Sequence, residues 1–243
     1  MALMNVDLHP LSPSTESRGF TLVEILVAMF IFAVIATTLF GSFRSLFGQT
    51  GMVDGRMHTY AMAQNCLNRL ALDLRSLHVA PPERYQPPGM ENSGDPFRLV
   101  GEVVSVGSES FGRLRFASLA HLPFEDSRLR GVAEIVYYVM PDEKHHFVLR
   151  RADRIHPDTP FEESRRDPVI AEGVISLGLR YFDAKGTAHD AWDSDSGLYD
   201  YATPAAVEIA LALNKASESV LFKTLVALPL SRTKKSNELS ASP

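Results

Sequence analysis

The sequence predicts an α+β fold in which a long N-terminal helix packs on an antiparallel β-sheet. Three observations support this prediction. An uncharged apolar run from Ile25 to Phe40 is followed by apolar residues at helical spacing, which continue up to Pro81-Pro82. Beyond the prolines, seven short runs rich in β-branched and aromatic residues are separated by turn-forming residues. No segment of helical length separates these runs, which favours antiparallel pairing over alternating strands and helices.

The first part of the predicted helix is a membrane-spanning half at residues 20–41. The apolar stretch from Phe20 to Phe40 has about 21 residues, which at 1.5 Å per residue gives roughly 30 Å, the thickness of one bilayer core. No other window of the sequence is as apolar, so we predict a single membrane pass. Residues 1–19 are polar and lack the apolar core of a conventional secretory signal peptide.

A lone carboxylate, Glu24, lies at the start of the apolar run. A charge at the edge of a membrane segment is costly unless it is paired, so Glu24 is a candidate functional residue. A second interpretation needs no partner, because a carboxylate near a helix N-terminus is favoured by the macrodipole and can lie at the level of the lipid headgroups. Glu24 taken alone does not decide between the two interpretations.

The second half of the helix, at residues 42–79, is predicted to be amphipathic and to pack on the sheet. Its apolar stripe recurs at alternating steps of three and four and consists of Tyr60, Ala63, Leu67, Leu70, Leu74 and Leu77. The opposite side is predicted to carry the polar residues Gln64, Asn68, Asp73 and Arg75. Between the two halves, four glycines mark where the helix could bend or locally melt, namely Gly41, Gly48, Gly51 and Gly55.

A β-rich domain is predicted at residues 80–230, followed by a flexible tail at residues 231–243. The predicted strands are Phe97–Val106, Arg113–Ala117, Val132–Met140, Phe147–Arg151, Ile175–Phe182, Ala206–Leu213 and Val220–Leu228. From Val207 to Leu213, large apolar residues alternate with smaller or polar ones, which is typical of a half-buried strand.

The composition and the motifs exclude several classes of function. The chain has 243 residues, 45% of them hydrophobic and 22% charged, and its net charge of −5 gives no basic surface for nucleic acid. It contains no G-x-S-x-G elbow, no P-loop and no H-E-x-x-H motif, so we predict neither an enzyme nor a cofactor. The single cysteine, Cys66, excludes an intramolecular disulfide.

The one acidic concentration in the sequence consists of Asp190, Asp193, Asp195 and Asp200. We interpret it as a solvated acidic loop and predict no metal site. The alternative is a calcium turn formed by Asp190, Asp193 and Asp195. An EF-hand is excluded, because its glutamate position, counted from Asp193, is occupied by Pro204.

The N-terminal junction Gly19-Phe20-Thr21-Leu22-Val23-Glu24 resembles the processing site of type IV pilin-like proteins. In that family a membrane peptidase cuts after the glycine and methylates the new N-terminal phenylalanine. The resemblance implies a leader at residues 1–19, cleavage after Gly19, N-methylation of Phe20 and an assembly role for Glu24. It further implies a pilin-like fold, with the chain in a bacterial inner membrane and its C-terminal domain in the periplasm.

The C-terminal half narrows the resemblance. Val174–Asp183 reads VISLGLRYFD and is followed by Gly186, by Trp192, and then by Thr203–Ile209, which reads TPAAVEI. This order is similar to the J-type minor pseudopilin of the type II secretion system, although a leucine is usual where Thr203 stands. The resemblance implies a structural subunit at or near the tip of the pseudopilus, which helps to initiate the pseudopilus and to export folded proteins across the outer membrane.

The resemblance also implies a set of partners. These are the I-type and K-type minor pseudopilins, the major pseudopilin, the prepilin peptidase and the inner-membrane assembly platform. Two alternatives stay open. A minor pilin of a type IV pilus shares every N-terminal feature, and a single-pass membrane-anchored periplasmic binding or enzymatic domain would keep the segment at Phe20 uncleaved.

Overall fold

The computed structural model describes residues 21–81, 85–89, 94–122, 131–155, 160–215, 218–230 and 232, without the side chains of residues 41–56, 215 and 218. The chain divides into two compact units, Met1–Val53 and Asp54–Pro243. Helix α1 spans Leu22–Arg75 and is helical throughout, including the segment that contains the four glycines. The local melting considered for that segment is therefore not observed.

Ten strands follow α1 in the part of the chain that the structure describes. They are β1 (Val100–Val106), β2 (Glu109–Ser118), β3 (Ala133–Pro141), β4 (Phe147–Ile155), β5 (Val169–Glu172), β6 (Val174–Phe182), β7 (Ala188–His189), β8 (Trp192–Asp193), β9 (Ala206–Lys215) and β10 (Glu218–Ala227). All seven predicted strands are present. The sequence did not predict β5, β7 and β8, which have four residues or fewer.

The strands form two sheets. The larger sheet has the order β5-β4-β3-β2-β1-β8, and the smaller one has the order β10-β9-β6-β7. Every pairing is antiparallel, which confirms the predicted α+β class with antiparallel sheets. The hairpin of β9 and β10 pairs continuously from Lys215 opposite Glu218 to Ala206 opposite Ala227.

One hydrophobic core joins the C-terminal part of α1 to both sheets. Of the predicted helix stripe, Ala63, Leu67, Leu70, Leu74 and Leu77 are buried in it. The sixth member, Tyr60, is 51% exposed and meets the ring of Phe222 edge-on at 5.3 Å between centroids. The sheets contribute residues such as Phe116, Ile135 and Leu211. The periodicity of the sequence therefore identified the packing face of the helix.

A glycine allows the two sheets to approach each other. A Cβ atom at Gly101 of β1 would lie 1.8 Å from the hydroxyl oxygen of Tyr181 on β6, so only glycine fits beneath this ring. Tyr181 is fully buried, and its hydroxyl has no hydrogen bond to any described residue. Burial, together with the charge of Glu102, raises the pKa of Tyr181. The side chain is therefore a neutral packing element.

The polar side of the helix differs from the prediction at one residue. Gln64, Asn68 and Arg75 are exposed, as predicted, but Asp73 is fully buried. Its Oδ2 atom accepts hydrogen bonds from Nε of Arg151, at 2.6 Å, and from the hydroxyl of Tyr137, at 2.5 Å. Its Oδ1 atom lies 2.7 Å from Nη2 of Arg69. A buried carboxylate is tolerated here because two guanidinium groups and a hydroxyl replace its water.

Arg151 also pairs with a second aspartate, Asp153. Nη1 of Arg151 lies 2.7 Å from Oδ2 of Asp153, whose Oδ1 atom lies 2.6 Å from Nδ1 of His121. Burial alone would lower the pKa of Arg151, but the hydrogen bond and the charge of Asp73 outweigh it, and the pKa lies above its usual range. The arginine is therefore held charged between two aspartates.

Arg232 is the one described residue of the predicted tail at residues 231–243, and it is buried. The side chains of Asp95, Asp195 and Arg232 are each 2% exposed. The Arg232 guanidinium pairs with Asp95, lies 3.1 Å from Oδ1 of Asp195, and stacks 3.6 Å above the centre of the Tyr85 ring. One cation therefore lies between two buried carboxylates and ties Arg232 to two loops.

Cys66 provides a test of the core. It is 1% exposed, and burial raises the pKa of its thiol to about 12. Only the thiolate reacts rapidly with iodoacetamide, so at about pH 8.5, where part of an unburied thiol is ionised, we expect labelling in urea but almost none of the folded chain. The stability that the neutral thiol contributes is complete below its ordinary pKa of 9.0 and falls as the pH rises towards about 12. Labelling is measured by mass spectrometry, and rapid labelling of the folded chain would contradict this packing.

Candidate functional site

The described chain begins at Thr21, immediately before the first residue of α1. Gly19 and Phe20 lie outside the described residues. The backbone N–H of Glu24 donates to Oγ1 of Thr21 at 3.3 Å, and the backbone N–H of Thr21 donates to Oε2 of Glu24 at 3.3 Å. This reciprocal arrangement is a capping box, which satisfies two N–H groups that the helix itself leaves unpaired. The sequence contains the signal of a capping box, a threonine three residues before a glutamate, but the sequence-based prediction did not include it.

The helix that follows presents an apolar surface on all sides. Leu22–Phe40 has 19 residues, a mean hydropathy of 2.5 and no buried residue, and it is long and apolar enough to cross a membrane. The hydroxyl of Thr37 donates to the carbonyl of Ala33 at 2.7 Å, and that of Thr38 to the carbonyl of Ile35 at 2.8 Å. Both hydroxyls therefore have acceptors within the helix, as a segment without water contacts requires.

One face of this helix combines the carboxylate with small residues. A shallow depression is lined by Glu24, Ile25, Ala28, Met29, Phe32 and Ala33. Ala28 lies one turn after Glu24, so the position directly above the carboxylate on this face carries only a methyl group. Small residues on an apolar helix allow a second helix to approach closely. The arrangement is suited to helix packing around a charged group.

The acidic residues at 190–200 are not brought together. The side chain of Asp190 is 87% exposed and lies 3.6 Å from Arg180. Asp195 is buried, and it accepts from the Tyr85 hydroxyl at 3.0 Å and from the backbone N–H of Asp95 at 2.7 Å. Among the described residues, no three His, Cys, Asp or Glu side chains are placed to hold a metal ion. The calcium-turn alternative gains no support, and the interpretation as a solvated loop is wrong for Asp195.

The segments behind the C-terminal resemblance meet in space. Trp192 is buried on β8, opposite Gly101 of β1, and its indole N–H donates to the carbonyl of Ala202 at 3.0 Å. Its ring stacks on that of Tyr199, with 4.4 Å between centroids. The ring of Tyr181, at the end of β6, lies 6.5 Å from the ring of Trp192, again between centroids. The tryptophan is therefore a packed residue that joins the ends of the two sheets.

Comparison with known families agrees with these observations. The sequence matches the family model described as type II secretion system (T2SS), protein J, over residues 41–222, which is more than half of the chain. It also matches the prokaryotic N-terminal methylation motif over residues 15–40, a range that includes Gly19, Phe20 and Glu24. No individual curated protein matches the chain significantly. With its apolar N-terminal helix and its antiparallel sheets, the chain belongs to the type II secretion system protein J family.

Proposed function

We propose that this chain is a minor pseudopilin that acts at or near the tip of the type II secretion pseudopilus. There it would assist initiation of the pseudopilus and the export of folded proteins across the outer membrane. The observation that carries the proposal is the protein J match over residues 41–222, joined to the methylation motif over residues 15–40. A minor pilin of a type IV pilus would share the N-terminal motif alone, so the longer match favours type II secretion.

The role that we propose is structural and not enzymatic. The chain would be held in the inner membrane by Leu22–Phe40, with residues 54–243 in the periplasm. Its partners would be the I-type and K-type minor pseudopilins, the major pseudopilin, the prepilin peptidase and the inner-membrane assembly platform. These partners and this orientation come from the family, and membrane anchoring is supported by the exposed apolar helix.

We propose that the prepilin peptidase cleaves after Gly19 and methylates the amine of Phe20. The matched methylation motif supports this assignment, and so does the capping box, which starts at Thr21. The box fixes the start of the helix one residue beyond the new terminus. The mature amine would therefore lie at the N-terminal end of the apolar segment, close to the level of Glu24.

We propose that Glu24 binds the N-terminal amine of a neighbouring subunit in the filament. The carboxylate is exposed, and its contacts to Thr21 are 3.3 and 3.4 Å long, so it can exchange them for a charged partner. In an apolar environment the attraction between opposite charges exceeds that in water, and an unpaired carboxylate is penalised. Pairing would therefore set the axial register of adjacent helices.

The mass of the N-terminal peptide, taken from protein in its native membrane, tests the cleavage. We expect a mature chain that begins with N-methylated Phe20. The variant Gly19→Ala should keep the leader, because the peptidase reads the residue before the cut. A wild-type chain that still begins at residue 1, or normal cleavage of Gly19→Ala, would contradict the assigned site and favour a membrane-anchored domain of another function.

A second experiment separates charge pairing by Glu24 from its capping role. Glu24→Leu should be processed and inserted but should fail to co-purify with the other pseudopilins and to support secretion. The matched control is Thr21→Ala, which removes the cap hydroxyl at a cost of about 1 kcal/mol and keeps the carboxylate. We expect this control to assemble. Failure of both variants would assign the defect to the helix cap, and normal secretion by Glu24→Leu would refute the pairing.

A further inference from the structure

Strand β10 leaves one edge of the smaller sheet open. It has ten residues and pairs along its whole length with β9. In the part of the chain that the structure describes, no strand pairs with its other side. The second edge of this sheet is β7, which has two residues. On an edge strand, every second residue directs its N–H and C=O groups away from the sheet, so β10 offers a row of unpaired donors and acceptors.

The outward face of β10 carries one charge between two leucines. Leu221 is 56% exposed and Leu225 is 60% exposed, with the exposed Lys223 between them. Lys223 forms no ion pair with any described residue. The face turned towards the core holds Phe222 and Val226. A long edge strand with exposed leucines is a template for pairing with another chain, and natural proteins normally shorten or cover such edges.

The strands beside Lys223 carry small side chains in the row that runs across the sheet from it. Ala210 of β9 lies opposite Lys223, and Gly178 of β6 lies opposite Ala210, so this row carries nothing larger than a methyl group. The row forms the floor of a groove that Val103, Ser110 and Gly112 border on the other side. Side chains of a segment added beside β10 would therefore have room to lean over the sheet.

We propose that the open edge of β10 binds an extended segment of a different polypeptide, which pairs with β10 as an added strand. On its outward face this segment would carry an acidic residue between two apolar residues, opposite Lys223, Leu221 and Leu225. Backbone hydrogen bonds would supply affinity, and the charged and apolar cross-strand pairs would supply register and specificity. The inference goes beyond the proposed function and does not depend on membrane anchoring or on secretion.

A second copy of this chain is a poorer occupant. An antiparallel two-fold pairing of β10 with itself, centred on Lys223, would place the two ammonium groups directly opposite each other. Like charges at directly opposed positions of a sheet are destabilising. The lysine between two leucines therefore disfavours this self-pairing register and favours a segment that brings a carboxylate.

Peptide binding to the full chain in detergent tests the inference. The probe is the synthetic peptide Thr-Val-Thr-Glu-Thr-Val-Thr, with fluorescence anisotropy as the readout. A second peptide has lysine in place of the glutamate. A third and a fourth are the first peptide methylated on the backbone nitrogens of one edge or of the other. We expect the first peptide to bind about fivefold or more tightly than the second, and the one of the two methylated peptides that is blocked on the pairing edge to lose binding.

Two variants complete the design. Lys223→Glu should reverse the preference between the acidic and the basic peptide, whereas Lys185→Glu, at an exposed turn, should leave it unchanged. Hydrogen exchange should slow at alternate amides of β10 when the acidic peptide is bound. The inference is overturned if the acidic peptide does not bind, if the acidic and the basic peptide bind equally, or if methylation of neither edge weakens binding. It is also overturned if the protection from exchange appears outside β10, or if sedimentation shows a dimer that Lys223→Glu alters.

Discussion

Replacing Asp73 by alanine is expected to lower the free energy of unfolding by about 3 kcal/mol or more, because it removes the carboxylate of a buried ion pair and leaves the arginine buried without it. Arg151, with a side chain that is 2% exposed, would lose its 2.6 Å contact to the carboxylate, and the Tyr137 hydroxyl would lose its acceptor. Denaturation in urea, followed by the fluorescence of the single tryptophan, Trp192, measures the loss.

The matched control is Asp190→Ala, which removes an aspartate whose side chain is 87% exposed and should change stability by less than about 0.5 kcal/mol. A double-mutant cycle identifies the cause. Arg151→Met should cost clearly less in the Asp73→Ala background than in the wild type, since of its two attractions, to Asp73 and to Asp153, the first is already absent. Equal costs in the two backgrounds would show that the two side chains are not coupled, even if each variant is unstable.

The helix stripe could be predicted from the sequence because its signal is local. Residues three and four apart share a helix face whatever they pack against, so Ala63 to Leu77 were placed correctly. Asp73 belongs to the same stretch and was assigned to the solvent side by its charge alone. Its partner Arg151 lies 78 residues later in the sequence. Asp73 lies three residues after Leu70 and four before Leu77, so its spacing alone places it beside the packing face. No periodic pattern reports its pairing with Arg151, so the partner of the carboxylate could not be predicted.

Among the strands too, those with a local sequence signal could be predicted and those that depend on a tertiary neighbour could not. The long strands carry alternating or β-branched runs that the sequence displays directly. Strands β7 and β8 have two residues each, and they exist because β6 and β1 offer edges to them. A segment of two residues has no periodicity of its own. Its conformation is decided by the tertiary neighbour, which the sequence-based prediction did not include.

The N-terminal candidate site could be predicted because its residues are contiguous. Gly19, Phe20 and Glu24 form one short motif, and the family comparison finds the methylation motif in the same range. The buried cluster around Asp195 is different, since its members come from separate loops and from the C-terminal segment. An acidic run in a loop normally indicates solvent exposure, and only the fold places Arg232 against it.

Replacing Arg232 by alanine is expected to destabilise the domain by about 3–5 kcal/mol, because it leaves two buried carboxylates without their shared cation. Asp95 and Asp195 are each 2% exposed, and the backbone N–H of Asp95 donates to Oδ2 of Asp195 at 2.7 Å, so the two groups cannot separate without breaking the loop structure. The ring of Tyr85 would also lose the guanidinium stacked on it. Urea denaturation followed by Trp192 fluorescence measures this effect as well.

The control for this prediction is Arg166→Ala, at an exposed arginine, with an expected change of less than about 0.5 kcal/mol. Arg232→Lys should lie between the two, because it keeps a positive charge but cannot bridge two carboxylates with a planar fork. If Arg232→Ala were as stable as Arg166→Ala, the Arg232 side chain would contribute nothing to the fold. The expected loss would instead extend the folded domain to Arg232, two residues beyond the boundary indicated by the sequence, because a buried cation shared by two carboxylates holds this residue without apolar burial.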